Sequence, residues 1–122
     1  EYGWLSNFSS HKLIDGKGRC FGTPEAYYQW RRFSGLHHPA AKRACETLLR
    51  TPSSREGALE AKTVASRTKS VVSGKNWRQE KMNVAWTTLC LKFTQHPDLR
   101  RRLLDTANRP LVHVSNADRF WG

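Results

Sequence analysis

A single α+β domain, predominantly helical, is predicted by three features of this 122-residue chain. A turn-rich hairpin signal stands near the beginning, a series of segments with helix-start residues follows, and a short alternating stretch comes last. Strands, then helices, then a closing strand is the order of an α+β fold rather than of repeating βα units. The length suits one domain, 1–122, large enough for a core without metal or disulfide support. There is no internal repeat, linker or low-complexity tract.

The elements can be justified in turn. Lys12-Leu13-Ile14 and Arg19-Cys20-Phe21 flank Asp15-Gly16-Lys17-Gly18, a hairpin pattern. Thr23 is a capping residue, Pro24 suits the first helical position, and Glu25 favours the positive end of a helix dipole. That helix should reach Phe33 and end at Ser34-Gly35. A second helix is predicted from Pro39 to about Leu49, with Ala41, Ala44, Cys45 and Leu48 on one face. Ser53-x-x-Glu56 reads as a capping box opening a third, rich in Ala and Lys. After a break at Val71-Val72-Ser73-Gly74, a long helix begins at Asn76. Its Met82, Ala85, Trp86, Leu89 and Phe93 recur at 3.6-residue spacing and are predicted to face the core. Pro97 starts a short helix carrying Leu99, Leu103 and Leu104. Asn108-Arg109-Pro110 stops it, and Leu111 to Ser115 alternates as a strand.

Composition narrows the function classes. Cys20, Cys45 and Cys90 are odd in number and contain no C-x-x-C pair, which argues against a disulfide framework or zinc knuckle and points to a reducing intracellular compartment. Mitochondrial or other organellar placement is an alternative, because the chain starts at Glu1 and a removed targeting peptide fits that start. No apolar run approaches a membrane span, so no membrane partner is expected. Twenty-one Lys and Arg oppose ten Asp and Glu, a net charge of +11. Between Ala61 and Arg102, ten basic residues face only Glu80 and Asp98. Such an excess repels itself unless a polyanion offsets it, and a solvated surface is the plainer alternative. Lys75, Arg78, Lys81, Arg100, Arg101 and Arg102 are the candidate nucleic-acid contacts, with RNA and neighbouring proteins of a ribonucleoprotein as the partners.

A second constellation concerns a small ligand. Glu25, Tyr28 and Gln29 share one helix face at i, i+3, i+4. An acid and an amide beside aromatic rings suit a ribosylated base. Trp4, Tyr28, Trp77 and Trp121 are candidate stacking surfaces, although core packing is the commoner role of each alone. His37-His38 lack the helical spacing that converges on a metal, so no metal is expected, and no cofactor. His11, His96 and His113 stand apart in the sequence. No P-loop, Rossmann glycine pattern or Ser-His-Asp order occurs.

In order along the chain, Leu5-Ser6-Asn7-Phe8, Thr23 to Phe33, Asn76-Trp77, Lys92-Phe93, Leu103-Leu104-Asp105-Thr106 and Asp118 to Gly122 resemble the NADAR domain family of YbiA-like N-glycosidases. The resemblance implies that fold and cleavage of an N-glycosidic bond in a ribosylated base, such as ADP-ribosyl-guanine or a riboflavin-pathway intermediate. It implies catalytic roles for Glu25 at the ribose and for Asp118 as a second polar contact, which also suits a turn or cap. It further implies orientation of ribose or base by Asn7 and Gln29, and pocket walls from Trp4 and Trp121. Ala26 stands where the family has His, and the family's Gly-rich C-terminal segment is absent. Arg32 stands where the family has a lysine whose amine forms an imine with the opened ribose. A guanidinium stays protonated and cannot do this, but its planar fork can grip a diphosphate. The expected reading is therefore a degenerate NADAR domain serving as an RNA-binding structural component of a ribonucleoprotein such as a mitochondrial ribosome. An active N-glycosidase, holding a nucleotide or ADP-ribose-like ligand, is the alternative.

Overall fold

The computed structural model describes residues 3–72 and 76–106. A 3₁₀ turn at Gly3–Leu5 precedes β1 (Leu13–Ile14) and β2 (Cys20–Phe21), followed by α1 (Pro24–Phe33), α2 (Pro39–Leu48), α3 (Arg55–Lys69), α4 (Trp77–Gln95) and α5 (Pro97–Asp105). The α+β prediction is met. β1 and β2 pair antiparallel, Leu13 with Phe21 and Ile14 with Cys20. Asp15 closes the turn by accepting from the Lys17 and Arg19 amides and pairing with the Arg19 guanidinium at 2.6 Å. The predicted strand at Leu111–Ser115 lies outside the described residues.

Helix α1 is the centre of the domain. It packs against α2, α3, α4 and β2, and its first six residues, Pro24 to Gln29, are all buried. Thr23 Oγ1 accepts from the Ala26 amide at 3.1 Å, and Pro24 follows at the first helical position, as the sequence indicates. Phe21 is its main anchor: fully buried, it meets Tyr27 and Trp30 edge-on at centroid distances of 5.2 and 5.4 Å. Ala41, Ala44 and Leu48 of α2 and Ala61 and Ala65 of α3 complete this core, their small side chains letting the helices approach closely. Cys45, half-buried behind them, has its thiol pushed up to about 11 by burial.

Two elements depart from expectation. The cap of α3 is Ser54, whose hydroxyl accepts from the Gly57 amide at 3.0 Å, one residue beyond the predicted Ser53 box. The reason is steric. A Cβ on Gly57 would lie 1.9 Å from the Pro52 carbonyl oxygen, so only glycine fits where the chain doubles back. Gly22 meets the same Thr51–Pro52 backbone from the other side, its Cβ position 2.4 Å from the Thr51 oxygen.

The larger departure is the rotation of α4. Its buried residues are Val84, Thr88 and Lys92, while Met82, Trp86 and Leu89, predicted to be core, are exposed, Trp86 to 68%. Ala85 and Phe93 are half-buried. At 3.6 residues per turn, the helix is turned roughly a third of a revolution from the face its apolar residues indicate. Thr88 satisfies its hydroxyl on the Val84 carbonyl at 2.7 Å, and Lys92 finds a distant partner. Of the leucines predicted for α5, Leu99 is buried and Leu104 exposed.

Candidate functional site

The site begins where α1 starts. The Glu25 amide donates to the Asn7 carbonyl at 2.9 Å, tying the N-terminal segment across the helix start. Glu25 and Gln29 are each only 7% exposed, one turn apart on α1. Gln29 Nε2 donates to Glu25 Oε2 at 2.8 Å. The carboxylate fixes the amide's orientation, because only the NH₂ end can donate to it. Gln29 Oε1 is thereby left as a buried acceptor without a hydrogen-bond partner among the described residues. Buried polar atoms are paired in most proteins, and an orphan in a cleft is a marker of a ligand position.

Tyr28, on the same face, meets the Trp77 indole edge-on at 5.2 Å. Arg32 follows one turn later, with its guanidinium 5.5 Å from the Trp77 centroid and 5.4 Å from that of Phe33. Burial lowers its pKa from the ordinary arginine value, with the Tyr28 charge opposing.

Sequence reasoning passed over Lys92 as a site residue. The side chain is fully buried, and Nζ donates to the Ser6 carbonyl at 2.8 Å. Ser6 is the neighbour of Asn7, so the carbonyls that receive Lys92 and Glu25 belong to adjacent residues, about 3.8 Å apart at Cα. The same Ser6 oxygen also accepts from the Ser9 amide at 3.1 Å. Desolvation pulls the Lys92 amine down to about 8. A lysine is rarely buried without a carboxylate, and this was the available signal: a lone cation at i, i+4, i+8 from Val84 and Thr88.

Trp4 is buried, packing edge-on against Phe93 at 6.2 Å with the Arg102 guanidinium 4.6 Å from its ring centroid. It stands near Lys92 through Phe93, whose ring lies 5.6 Å from Nζ. Asp118, Trp121, Lys75 and His113 lie outside the described residues. Of the other predicted nucleic-acid contacts, Arg78, Arg100, Arg101 and Arg102 are exposed and Lys81 half-buried; Arg102 is engaged by Trp4.

The histidines are placed by local structure. His38 Nδ1 accepts from the Ala40 amide at 3.0 Å and caps α2. No group of three metal-ligating side chains occurs among the described residues. His11 and His96, apart in the sequence, stack edge-on at 4.9 Å, and the His96 ring contacts the Lys12 carbonyl at 2.6 Å. Burial first, then the His96 and Lys92 charges, lowers the His11 pKa.

Comparison with known proteins agrees with this arrangement. The chloroplastic riboflavin biosynthesis protein PYRR of Zea mays is 33% identical over 125 residues, covering 99% of this chain and 20% of that protein. N-glycosidase YbiA of Escherichia coli is 32% identical over 123 residues, all of this chain and 69% of YbiA. N-glycosidase R617 of Acanthamoeba polyphaga mimivirus is 41% identical over 46 residues, 38% of this chain and 27% of R617. The chain thus spans about a fifth of the maize protein's length. The NADAR domain model matches residues 1–122, and the chain belongs to the NADAR domain family.

Proposed function

We propose that this domain is an N-glycosidase that separates a ribose from a heterocyclic base. The observation that carries the reading is the buried Glu25–Gln29 pair with its unpartnered Gln29 Oε1, set beside the fully buried Lys92 amine. Gln29 Oε1 would accept a ribose hydroxyl, and Glu25 would move the proton that leaves or enters the sugar. The amine that Arg32 cannot supply is available at Lys92. At pH 7 a lysine with a pKa of about 8 is neutral in roughly a tenth of molecules, about 300 times the fraction for an ordinary lysine.

In this route the base nitrogen opens the sugar ring, and a proton from Glu25 goes to the ring oxygen. Lys92 Nζ then adds to C1, and the base departs with the proton that Nζ gives up, leaving an imine between C1 and Nζ. One water adds to C1, assisted by Glu25, and returns the free amine and the sugar. The Ser6 carbonyl must release Nζ for the attack, so the Ser6–Asn7 segment moves during the reaction.

Names of relatives such as YbiA and R617 support this reading over the ribonucleoprotein scaffold, which draws on charge alone. The test combines base release with trapping. Incubation with a ribosylated base, either an ADP-ribosylated guanine oligonucleotide or a phosphoribosylated aminopyrimidine, should release free base. Borohydride should leave the sugar attached to a peptide containing Lys92. Glu25→Gln should lower turnover by at least about 100-fold. Turnover without trapping would move the chemistry to Glu25 and water. Neither substrate being cleaved would refute the enzyme reading.

A further inference from the structure

A cavity of about 430 Å³ opens at the other end of α1, within the range of small-ligand sites. Arg31, Arg32, His38, Asn76, Trp77 and Glu80 are among its lining residues. Two helices of 10 and 19 residues begin at its wall, for His38 is the N-cap of α2 and Asn76 that of α4. The positive ends of two helix dipoles therefore meet there, and the Asn76 side chain makes no capping bond to its own helix. Glu80 is the single acid of the lining. The two arginines have no carboxylate within ion-pair distance among the described residues, where the ion pair found is Arg19 with Asp15. Arg31 instead donates to the Tyr27 hydroxyl at 2.8 Å, and Arg32 lies against the Trp77 ring.

We infer that this cavity holds the phosphoryl end of the ligand whose ribose lies at Glu25–Gln29, with the Arg32 guanidinium as its principal contact and Trp77 as the surface that orients the guanidinium. The placement rests on the N-glycosidase reading for the ribose and on the cavity alone for the phosphate. Glu25, Tyr28, Gln29 and Arg32 follow i, i+3, i+4, i+7 on α1, so one helix face runs from the acid to the guanidinium over about 10 Å. Trp77 joins the two ends, touching Tyr28 on one side and Arg32 on the other. A planar guanidinium held against an indole offers a phosphate two parallel N–H bonds with little ordering left to do. The substrate class implied is a ribosyl base carrying a phosphate or diphosphate on the sugar, not a plain nucleoside.

Calorimetric titration of the chain with pyrophosphate, ribose 5-phosphate and ribose tests this. Both phosphorylated probes should bind and ribose should bind far more weakly. Arg32→Gln should weaken the phosphorylated probes by about 10- to 100-fold and leave ribose unchanged, with Arg32→Lys in between. Circular dichroism confirms that each variant is folded. No pyrophosphate binding at millimolar concentration, or equal binding by folded Arg32→Gln, overturns the assignment. Arg32-dependent pyrophosphate binding in a chain that cleaves no ribosylated base would support the cavity and count only against the N-glycosidase. Base release with Arg32-independent phosphate binding would do the reverse.

Discussion

Replacing Lys92 by Met should make the protein more stable at neutral pH while abolishing its chemistry. The amine is fully buried, and its pKa falls from 10.5 to about 8 by desolvation. The drop of two and a half units, at 1.36 kcal/mol each, comes to about 3 kcal/mol held against the folded state. The sign follows from proton counts. Between pH 8 and 10.5 the unfolded chain keeps the Lys92 proton that the folded chain has lost, so stability rises with pH across that window. Below about pH 8 both states are protonated and the whole penalty is present. Met fills the same volume without charge, but it strands one Ser6 oxygen lone pair formerly used by Nζ, at about 1 kcal/mol. Lys92→Met should therefore gain about 2 kcal/mol at pH 7, a rise of several degrees in Tm. The gain should shrink from pH 8 upward and turn into a loss of about 1 kcal/mol near pH 10.5. Urea denaturation of both proteins at pH 7, 9 and 10 measures the difference, and titrations common to both cancel. A difference that does not vary with pH, or a variant less stable at pH 7, would refute the account of a desolvated ammonium.

Other substitutions test the packing. Gly57→Ala puts a Cβ 1.9 Å from the Pro52 carbonyl oxygen, and the displaced backbone should cost at least about 2 kcal/mol in urea denaturation, whereas the same change at the open, exposed Gly16 should cost under about 1 kcal/mol. Trp86→Ser should shift stability by no more than about 0.5 kcal/mol, because the indole is 68% exposed. A loss of several kcal/mol, as for a core tryptophan, would return α4 to the rotation its apolar spacing suggests.

Local chemistry was the legible part of this fold. Thr23-Pro24 states where α1 begins because capping is an interaction among neighbours, and the Asp15–Gly18 turn likewise depends only on residues within it. The Ser53/Ser54 ambiguity was settled by something no local pattern contains, the pressure of Pro52 on Gly57. The rotation of α4 was misread because periodicity assigns apolar residues inward, whereas this helix buries a lysine and exposes a tryptophan. Such a conflict between pattern and burial is expected where function takes precedence over stability. Within the site, Glu25, Tyr28, Gln29 and Arg32 were read correctly as one face, since helical spacing is enough to align them. Lys92 was not, for its environment is made by Ser6, 86 residues away in the sequence.

The Gln95 side chain meets β1 as a strand would. Its Oε1 accepts from the Ile14 amide at 2.9 Å and its Nε2 donates to the Ile14 carbonyl at 2.6 Å, occupying both outward-facing groups of a two-residue strand. A lone hairpin otherwise shows an open edge to any extended chain that comes near, and exposed Ile14 would make that edge adhesive. The amide thus works as a one-residue stopper against edge-to-edge association. Only Gln or Asn pairs a donor with an acceptor in this way, and Gln has the longer reach from the last turn of α4. The hairpin's solubility is therefore written on a helix 81 residues downstream, and a chain still lacking α4 would carry that edge uncovered.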